Sequence, residues 1–154
     1  MKIGDILSPE FILPDLKARK KEDALKELCE FLKAKGAIRD TEALFQSLLE
    51  RERLGSTGIG ENVAIPHAKT EELDRILTVF GKSQQGLDFE SLDQKPVHFI
   101  CLLLAPASST GLHLKALARI SRLLKSQTLR DAVLKAGDPE TIFSIFQDED
   151  SKFI

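Results

Sequence analysis

The chain has 154 residues, 42% of them hydrophobic and 30% charged, with 22 basic and 24 acidic residues and a net charge of −2. This length and composition predict one soluble globular domain over residues 1–154, and they argue against a nucleic-acid binder, which would carry a basic face. The longest apolar run, residues 99–106, is too short to cross a membrane, and residues 1–5 lack a signal-peptide pattern, so we expect a cytoplasmic protein with no membrane insertion.

Two helices are predicted in the first third of the chain. Apolar residues recur at helical spacing on one face of residues 21–35, and Gly36 supplies a stop. A second helix is expected to use Asp40 or Thr41 as its N-cap and to end near Arg53.

Apolar runs elsewhere in the chain predict four strands. Three are short, whereas the fourth is nearly continuous in apolar residues, as expected of a central strand that is covered on both faces. The predicted strands are Phe11-Ile12-Leu13, Val63-Ala64-Ile65, Ile76 to Gly81 and Val97 to Ala105. Turns are predicted at residues 84–86 and 93–96.

Three more helices are predicted after the last strand. The first runs from about Thr110 to Lys125 and the second from Thr128 to Ala136, whereas Asp138 caps a third that begins at Pro139. The apolar face of the first comprises Leu114, Leu117, Ile120, Leu123 and Leu124. The tail, residues 147–154, is expected to fray. The order of helices and strands predicts an α/β fold with a mixed sheet flanked by helices on both faces.

The cysteines and histidines form no metal-binding pattern. Cys29 and Cys101 lie in separate apolar segments and are predicted to be small buried hydrophobic residues. His98 lies inside the predicted central strand and is expected to be structural. We therefore expect neither a metal ion nor a cofactor.

A glycine-rich segment, Gly55-Ser56-Thr57-Gly58-Ile59-Gly60, carries the strongest functional signal. Arg51 precedes it, and His67, one of three histidines in the chain, follows it. Glycines let backbone amides approach an anion closely, and hydroxyl and guanidinium groups donate hydrogen bonds to its oxygens. A plain turn needs none of these donors. The segment therefore predicts an anion site whose histidine either orients the ligand or becomes phosphorylated.

Two nucleotide-binding motifs are excluded. A P-loop has the pattern GxxxxGK[ST], whereas here Glu61 stands after Gly60 in the place of the lysine. A dinucleotide fingerprint has the spacing GxGxxG between a strand and a helix. Here the spacing is GxxGxG, and the segment follows a predicted helix.

The segment from Gly55 to Gly60, together with Ala64-Ile65-Pro66-His67-Ala68-Lys69, closely resembles the active-site region of the EIIA components of the bacterial phosphoenolpyruvate-dependent sugar phosphotransferase system. The similarity is to the fructose, mannitol and nitrogen-regulatory class, and it continues through residues 96–106 and 113–121. Ala68 stands where family members often have glycine. The resemblance implies that the whole chain is one EIIA domain of type 2.

The resemblance also implies roles for three side chains. His67 would be the nucleophile that becomes phosphorylated, since a neutral imidazole is available at cytoplasmic pH. His113 would be a second active-site histidine near the phosphoryl group. Arg51 would hold phosphate oxygens and spread the charge of the transition state.

Ser56, Thr57 and the Gly58 amide are candidate donors to the phosphoryl oxygens or to the His67 ring. For the two hydroxyl groups an equally good alternative exists, because serine and threonine often cap their own turn. The sequence leaves both interpretations open.

The resemblance implies that the partners of this chain are other proteins. An HPr-like phosphocarrier would donate the phosphoryl group, and a cysteine of an EIIB component would accept it for sugar uptake, so the chain would be a stoichiometric transferase. The alternative is a nitrogen-regulatory module, whose phosphorylation state controls its binding to regulatory target proteins. A degenerate domain that serves only as an interaction surface is disfavoured, because His67, His113 and Arg51 are all present.

Overall fold

The computed structural model describes residues 1–109 and 111–153. Within these residues the chain forms five α-helices and six β-strands. The helices are α1 (Lys21–Ala34), α2 (Thr41–Arg53), α3 (Leu112–Leu124), α4 (Gln127–Lys135) and α5 (Pro139–Asp150). The strands are β1 (Ile12–Leu13), β2 (Gly58–Gly60), β3 (Val63–Ala64), β4 (His67–Thr70), β5 (Leu77–Leu87) and β6 (Val97–Pro106). None of these five helices has the length and apolar character needed to span a membrane.

The six strands form one mixed sheet with β6 at its centre. One edge of β6 pairs antiparallel with β5, and the other edge pairs in parallel first with β3 and then with β4. Strand β1 joins β5 in parallel, and β2 joins β3 antiparallel. Residues 99–105 of β6 are all buried, which confirms the predicted central strand.

Helices cover both faces of this sheet. Helices α1 and α2 pack on one face, where Leu28 and Leu48 are fully buried. Helices α3, α4 and α5 pack on the other face with Ile120 and Phe146, and the Phe146 ring meets Phe80 of β5 edge to face at 4.9 Å between centroids. The predicted α/β architecture is confirmed, because each amphipathic helix buries its apolar stripe against one side of the sheet.

Strand β5 is longer than predicted, and the turn expected at residues 84–86 lies inside it. Gly86 has a φ of +85°, and the register between β5 and β6 shifts between Lys82 and Leu87. Such an irregularity lets a strand continue past a residue that would otherwise end it. The turn prediction is wrong because a bulge and a turn share the same glycine signal.

Strands β2 and β4 form where the sequence predicted loop. The strand predicted at residues 63–65 ends at Ala64, and His67 is the first residue of β4. Phe11 belongs to a short 3₁₀ turn, so β1 keeps only Ile12 and Leu13 of the strand predicted there. These short strands depend on pairing with other strands, namely β1 with β5, β2 with β3 and β4 with β6, which local sequence patterns do not encode.

Helix α3 shows one error in the predicted apolar face. Leu114 is 59% exposed, whereas Ala116 and Ile120 are buried. Leu114 lies six residues before Ile120, which places it about 120° around the helix from the buried side. The predicted start of this helix at Thr110 lies outside the described residues.

The first residues of the tail that was expected to fray, residues 147–150, are helical, because α5 continues to Asp150. The Asp150 carboxylate is buried and accepts hydrogen bonds from the Ile3 amide at 2.9 Å and from Arg119 Nε at 2.5 Å. A buried carboxylate with two such donors holds the end of the helix in place.

Helix α2 is fixed at its start by a carboxylate that follows β4. Glu72 accepts hydrogen bonds from the backbone amides of Arg39 at 2.8 Å and Asp40 at 3.0 Å. Asp40 in turn is the predicted N-cap and accepts from the Ala43 amide at 3.0 Å. The two amide donors hold the pKa of Glu72 below its ordinary value.

The hydrogen bonds to the Glu72 carboxylate predict a pH-dependent contribution to the stability of the fold. A carboxyl group with a lowered pKa in the folded state contributes stability that is complete above its unfolded pKa and is lost as the pH falls through its folded pKa. The melting temperature of Glu72→Gln should therefore lie below that of the wild type above about pH 5, with the gap closing in more acidic solution. Glu71 is exposed and gives the control. If Glu71→Gln lowered the melting temperature with the same pH dependence, the effect could not be assigned to the hydrogen bonds of Glu72.

Candidate active site

The His67 ring is held through both of its nitrogens. Its Nδ1 lies 3.1 Å from the carbonyl oxygen of Ile65, and its Nε2 lies 3.4 Å from Arg51 Nε. A carbonyl oxygen can only accept, so Nδ1 carries the proton and donates it. Arg51 Nε–H can only donate, so Nε2 is the acceptor. These two contacts select the neutral tautomer in which Nε2 keeps its lone pair.

Strand β4 sets the position of this ring. Its first residue, His67, pairs with Leu103 of the central strand, and the Leu103 amide donates to the carbonyl oxygen of Pro66 at 2.9 Å. Because Pro66 has no amide hydrogen and a fixed φ, the chain approaches β4 in one conformation. The imidazole is therefore carried by the rigid centre of the sheet rather than by a loop.

Arg51 reaches His67 from the last turn of α2. Besides its contact with His67, its guanidinium donates through Nη1 to the carbonyl oxygen of Gly55 at 3.0 Å. The side chain is half-buried and forms no ion pair with a carboxylate among the described residues. A planar guanidinium with unused donors beside a nucleophile suits the binding of phosphate oxygens.

His113 lies in the first turn of α3 and lines the same small pocket as His67. This pocket has a volume of about 140 Å³, and its wall also includes Ala68, Lys69 and Leu103. His113 Nδ1 is buried and has no hydrogen-bond partner within residues 1–109 and 111–153. The first turn of a helix also favours negative charge through its free amides. The structure thus brings together His67, Arg51 and His113, the three residues predicted to act on the phosphoryl group.

The donors of the glycine-rich segment are used within the chain. Thr57 Oγ1 donates to Glu52 Oε2 at 2.5 Å, and the Thr57 amide donates to Glu52 Oε1 at 3.0 Å. The Gly58 amide donates to Ser56 Oγ at 3.1 Å, and that hydroxyl lies 3.5 Å from the carbonyl oxygen of Phe89. The bond to Ser56 favours the turn-capping interpretation of that hydroxyl, whereas the Thr57 hydroxyl binds a side chain of α2 rather than its own turn. The phosphate-binding role of Ser56, Thr57 and Gly58 stays a prediction.

Sequence reasoning missed Glu52, the residue that holds Thr57. Glu52 is 8% exposed and lies four residues after Leu48, which itself follows Leu44 by four. An acidic residue that continues an apolar stripe at a spacing of four occupies the buried face of the helix. This signal was present in the sequence, and it would have pointed to a buried carboxylate beside Arg51.

The remaining histidine and the cysteines lie outside the site. His98 Nδ1 donates to the carbonyl oxygen of Ser83 at 2.8 Å, which fits the predicted structural role. Cys29 and Cys101 are buried as predicted, and burial raises the pKa of each thiol to about 12. In the part of the chain that is described, no three His, Cys, Asp or Glu side chains gather as metal ligands would.

A larger pocket of about 600 Å³ lies elsewhere, between residues 1–5, Arg119 and the end of α5. Its wall contains none of the residues predicted for the site. The larger pocket volume therefore does not coincide with the predicted site residues. The small pocket is lined by His67, His113 and Lys69, and the Arg51 guanidinium contacts His67.

A neutral imidazole whose Nε2 keeps its lone pair faces a guanidinium here, an arrangement suited to attack on a phosphoryl group. The chain belongs to the type-2 EIIA family, because residues 5–149 match the family model described as "Phosphoenolpyruvate-dependent sugar phosphotransferase system, EIIA 2". The resemblance noted in the sequence is confirmed. The family description makes the chain a component of a phosphotransferase system.

Similar proteins fall into two functional groups. A nitrogen regulatory protein of Bradyrhizobium diazoefficiens is 43% identical over 148 residues, which is 94% of this chain and 94% of that protein. The fructose-specific EIIABC component of Bacillus subtilis is 36% identical over 97% of this chain, but the match covers only 24% of that longer protein. Among solved structures, the nitrogen regulatory protein IIA-Ntr of Neisseria meningitidis has a TM-score of 0.85 at 29% identity, covering 94% of this chain and 98% of that one.

The packing of Gly58 gives a test of the site architecture. A Cβ at this position would lie 2.2 Å from Ser91 Oγ and 2.8 Å from Ser91 Cβ. Gly58→Ala should therefore lower the free energy of unfolding by about 1–3 kcal/mol, as overpacking does, measured by urea denaturation. A second substitution, Ser91→Gly, should recover most of the loss.

The matched control is Gly137→Ala, because no heavy atom of the described residues lies within 4 Å of a Cβ built there. It should cost far less than Gly58→Ala. Equal unfolding midpoints for the two alanine variants would show that Gly58 does not pack against Ser91 as described.

Proposed function

We propose that this chain is a phosphoryl carrier in which His67 Nε2 accepts a phosphoryl group from a phosphorylated HPr-like protein. The single observation that supports this most strongly is the pair of contacts to the His67 ring, with Nδ1 donating to Ile65 and Nε2 accepting from Arg51. An imidazole held in this way is a nucleophile with a defined direction of attack. The carrier acts stoichiometrically, without a cofactor, and hands the group on to a second protein.

The proposed step is an in-line transfer between two histidines. The lone pair of His67 Nε2 attacks phosphorus while the phosphorus–nitrogen bond of the donor breaks, and the donor imidazole leaves with that electron pair. The His67 ring becomes positively charged and keeps its Nδ1 proton. The carbonyl oxygen of Ile65 then stabilises this charge, because a hydrogen bond from a cationic donor is stronger than one from a neutral donor.

Arg51 and His113 would stabilise the phosphoryl group in this step. As Nε2 takes up phosphorus it no longer accepts from Arg51, so the guanidinium becomes free to bind phosphoryl oxygens. His113, on the other side of the pocket, would donate a hydrogen bond to the same oxygens. Together they would meet the charge that develops at the transition state. Ser56, Thr57 and Gly58 would join them only if their donors left their present acceptors.

The acceptor divides the proposal into two branches. In the first, a cysteine of an EIIB component takes the phosphoryl group for sugar uptake, as the relationship to the fructose-specific EIIABC component suggests. In the second, the phosphorylation state of His67 controls binding to a regulatory target. The nitrogen regulatory relative favours the second branch, because its similarity extends over 94% of both chains. Both branches share the chemistry at His67 and a cytoplasmic location.

The phosphorylation site is tested by a matched pair of histidine variants. His67 and His98 each donate Nδ1 to a backbone carbonyl oxygen, so asparagine can imitate that donor at either position while removing Nε2. The wild type and His98→Asn should each gain the mass of one phosphoryl group when incubated with phosphoenolpyruvate, enzyme I and HPr. His67→Asn should gain none. Intact mass is measured under alkaline conditions, which preserve phosphohistidine.

The outcome for the wild type decides the proposal. A wild type that gains no mass would contradict the carrier function. A gain that persists in His67→Asn would place the phosphoryl group on another residue.

A transfer assay separates the two branches. Phosphorylated protein is mixed with a panel of purified EIIB proteins, and loss of its phosphoryl group is followed with time. The sugar-uptake branch predicts rapid loss to at least one EIIB protein that has its active-site cysteine. The regulatory branch predicts no transfer to any of them, and instead a difference in target binding between the phosphorylated protein and His67→Asn.

A further inference from the structure

We propose that Glu52 is a positioning residue for phosphoryl transfer, because its buried carboxylate holds the backbone that fixes both nitrogens of His67. This inference rests on the carrier function proposed above. It concerns a residue that does not itself touch His67 or the phosphoryl group. Glu52 acts through Thr57 and through the last turn of α2.

The Glu52 carboxylate is fully bonded in its buried site. Oε1 accepts from the Thr57 amide at 3.0 Å and lies 3.0 Å from Lys21 Nζ, while Oε2 accepts from Thr57 Oγ1 at 2.5 Å. The side chains of Lys21 and Glu52 are only 9% and 4% exposed. Lys21 Nζ also lies 4.9 Å from the centroid of the Phe89 ring. A buried ion pair that is this well bonded gives a specific geometry more than it gives net stability.

The first connection from Glu52 to His67 runs through Ile65 to Nδ1. The Glu52 carboxylate accepts from both the amide and the hydroxyl group of Thr57. These two bonds hold the Thr57 carbonyl oxygen in a defined position. That oxygen accepts from the Ile65 amide at 3.0 Å, and the Ile65 carbonyl oxygen accepts from His67 Nδ1 at 3.1 Å. A displacement of Thr57 would therefore move the acceptor that selects the tautomer of His67.

The second connection runs through Arg51 to Nε2. Arg51 and Glu52 are neighbours in the last turn of α2, and the Gly55 amide donates to the Glu52 carbonyl oxygen at 3.1 Å. The Gly55 carbonyl oxygen then accepts from Arg51 Nη1 at 3.0 Å, which leaves Arg51 Nε directed at His67. Gly55 lies only two residues before Thr57. The Glu52 carboxylate holds Thr57 and the Glu52 backbone carbonyl oxygen holds Gly55, so this one residue fixes both ends of the short segment that orients the guanidinium.

The charge of Lys21 has a separate effect on Arg51. A buried carboxylate next to an arginine would attract the guanidinium if no other cation were present. Lys21 is that other cation, since its Nζ lies 3.0 Å from Glu52 Oε1. Arg51 therefore stays available to His67 and to an incoming phosphoryl group.

Three variants test the positioning role. Thr57→Val keeps the shape of the side chain but removes the hydroxyl, Thr57→Ser keeps the hydroxyl, and Glu52→Gln removes the charge. The rate of phosphoryl uptake from phosphorylated HPr should fall about tenfold to 100-fold in Thr57→Val and Glu52→Gln, since small misplacements at a reacting centre have effects of this size. Thr57→Ser should stay within about twofold of the wild type.

A spectroscopic readout separates positioning from general destabilisation. In ring-¹⁵N-labelled protein, neutral His67 of the wild type should be one tautomer with its proton on Nδ1. Thr57→Val and Glu52→Gln should show a mixture of tautomers at His67 while remaining folded by circular dichroism. Thr57→Ser should show the wild-type spectrum.

Asp150→Asn is the matched control. Asp150 is also a buried carboxylate that accepts from a backbone amide and a cation, but it lies on the opposite face of the sheet from α2. Its removal should lower stability and leave both the His67 spectrum and the uptake rate of folded protein unchanged.

The outcomes distinguish this inference from the carrier function. Wild-type protein that takes up no phosphoryl group would contradict the carrier function, and the His67 spectra of the variants would still decide the positioning role. Normal uptake and a normal His67 spectrum in Thr57→Val and Glu52→Gln would overturn the inference alone. A slow variant with a wild-type His67 spectrum would overturn it as well.

Discussion

The hydrogen bond from His67 Nδ1 to the carbonyl oxygen of Ile65 selects one neutral tautomer of the ring. Without a fixed acceptor, a neutral imidazole can place its proton on either nitrogen. With Nδ1 at 3.1 Å from a carbonyl oxygen, the lone pair lies on Nε2, where Arg51 meets it. The acceptor belongs to the residue between β3 and β4, two strands that pair with the centre of the sheet. The chemistry of the site therefore depends on backbone geometry that the sheet makes rigid.

Carboxylates place α2 relative to this rigid centre. Glu72, which follows β4, bonds the amides before the helix, and Glu52 bonds the segment that leaves it. Arg51 is carried between these two ties and is held by Gly55 at its end. Helix α2, which carries Arg51, is thus fixed at both of its ends by carboxylate hydrogen bonds. His113 is supplied independently by α3, so the pocket joins elements from separate parts of the chain.

The sequence was a good guide to elements with long periodic patterns and to motif residues. The apolar spacing located α1, α2 and α4, and the continuous apolar run identified β6 as the central strand. The glycine-rich segment and the histidine after Pro66 led to the prediction of an anion site, although the donors of Thr57 and Gly58 bond within the chain in the structure. The placement of His67 and His113 at one pocket, with Arg51 in contact with His67, follows from the fold and was anticipated only through family resemblance.

The features that escaped prediction depend on tertiary contacts. Strands β2 and β4 exist through pairing with other strands, and the glycine at position 86 forms a bulge rather than a turn. Leu114 faces solvent. The sequence did not show this, because a single apolar residue does not identify the buried face of a helix by itself. The binding of the Thr57 hydroxyl to Glu52 could be foreseen only by asking why an acid continues a buried stripe.

The central claim is that phosphorus becomes bonded to Nε2 of His67 while the proton stays on Nδ1. The most direct test is a long-range ¹⁵N–¹H correlation spectrum of the phosphorylated protein, with ¹⁵N in its histidine rings. The spectrum shows which ring nitrogen of His67 couples to ³¹P. We predict coupling at Nε2 of His67 and a protonated Nδ1. Coupling to Nδ1 would contradict the account, because that nitrogen is the one directed at the Ile65 carbonyl oxygen.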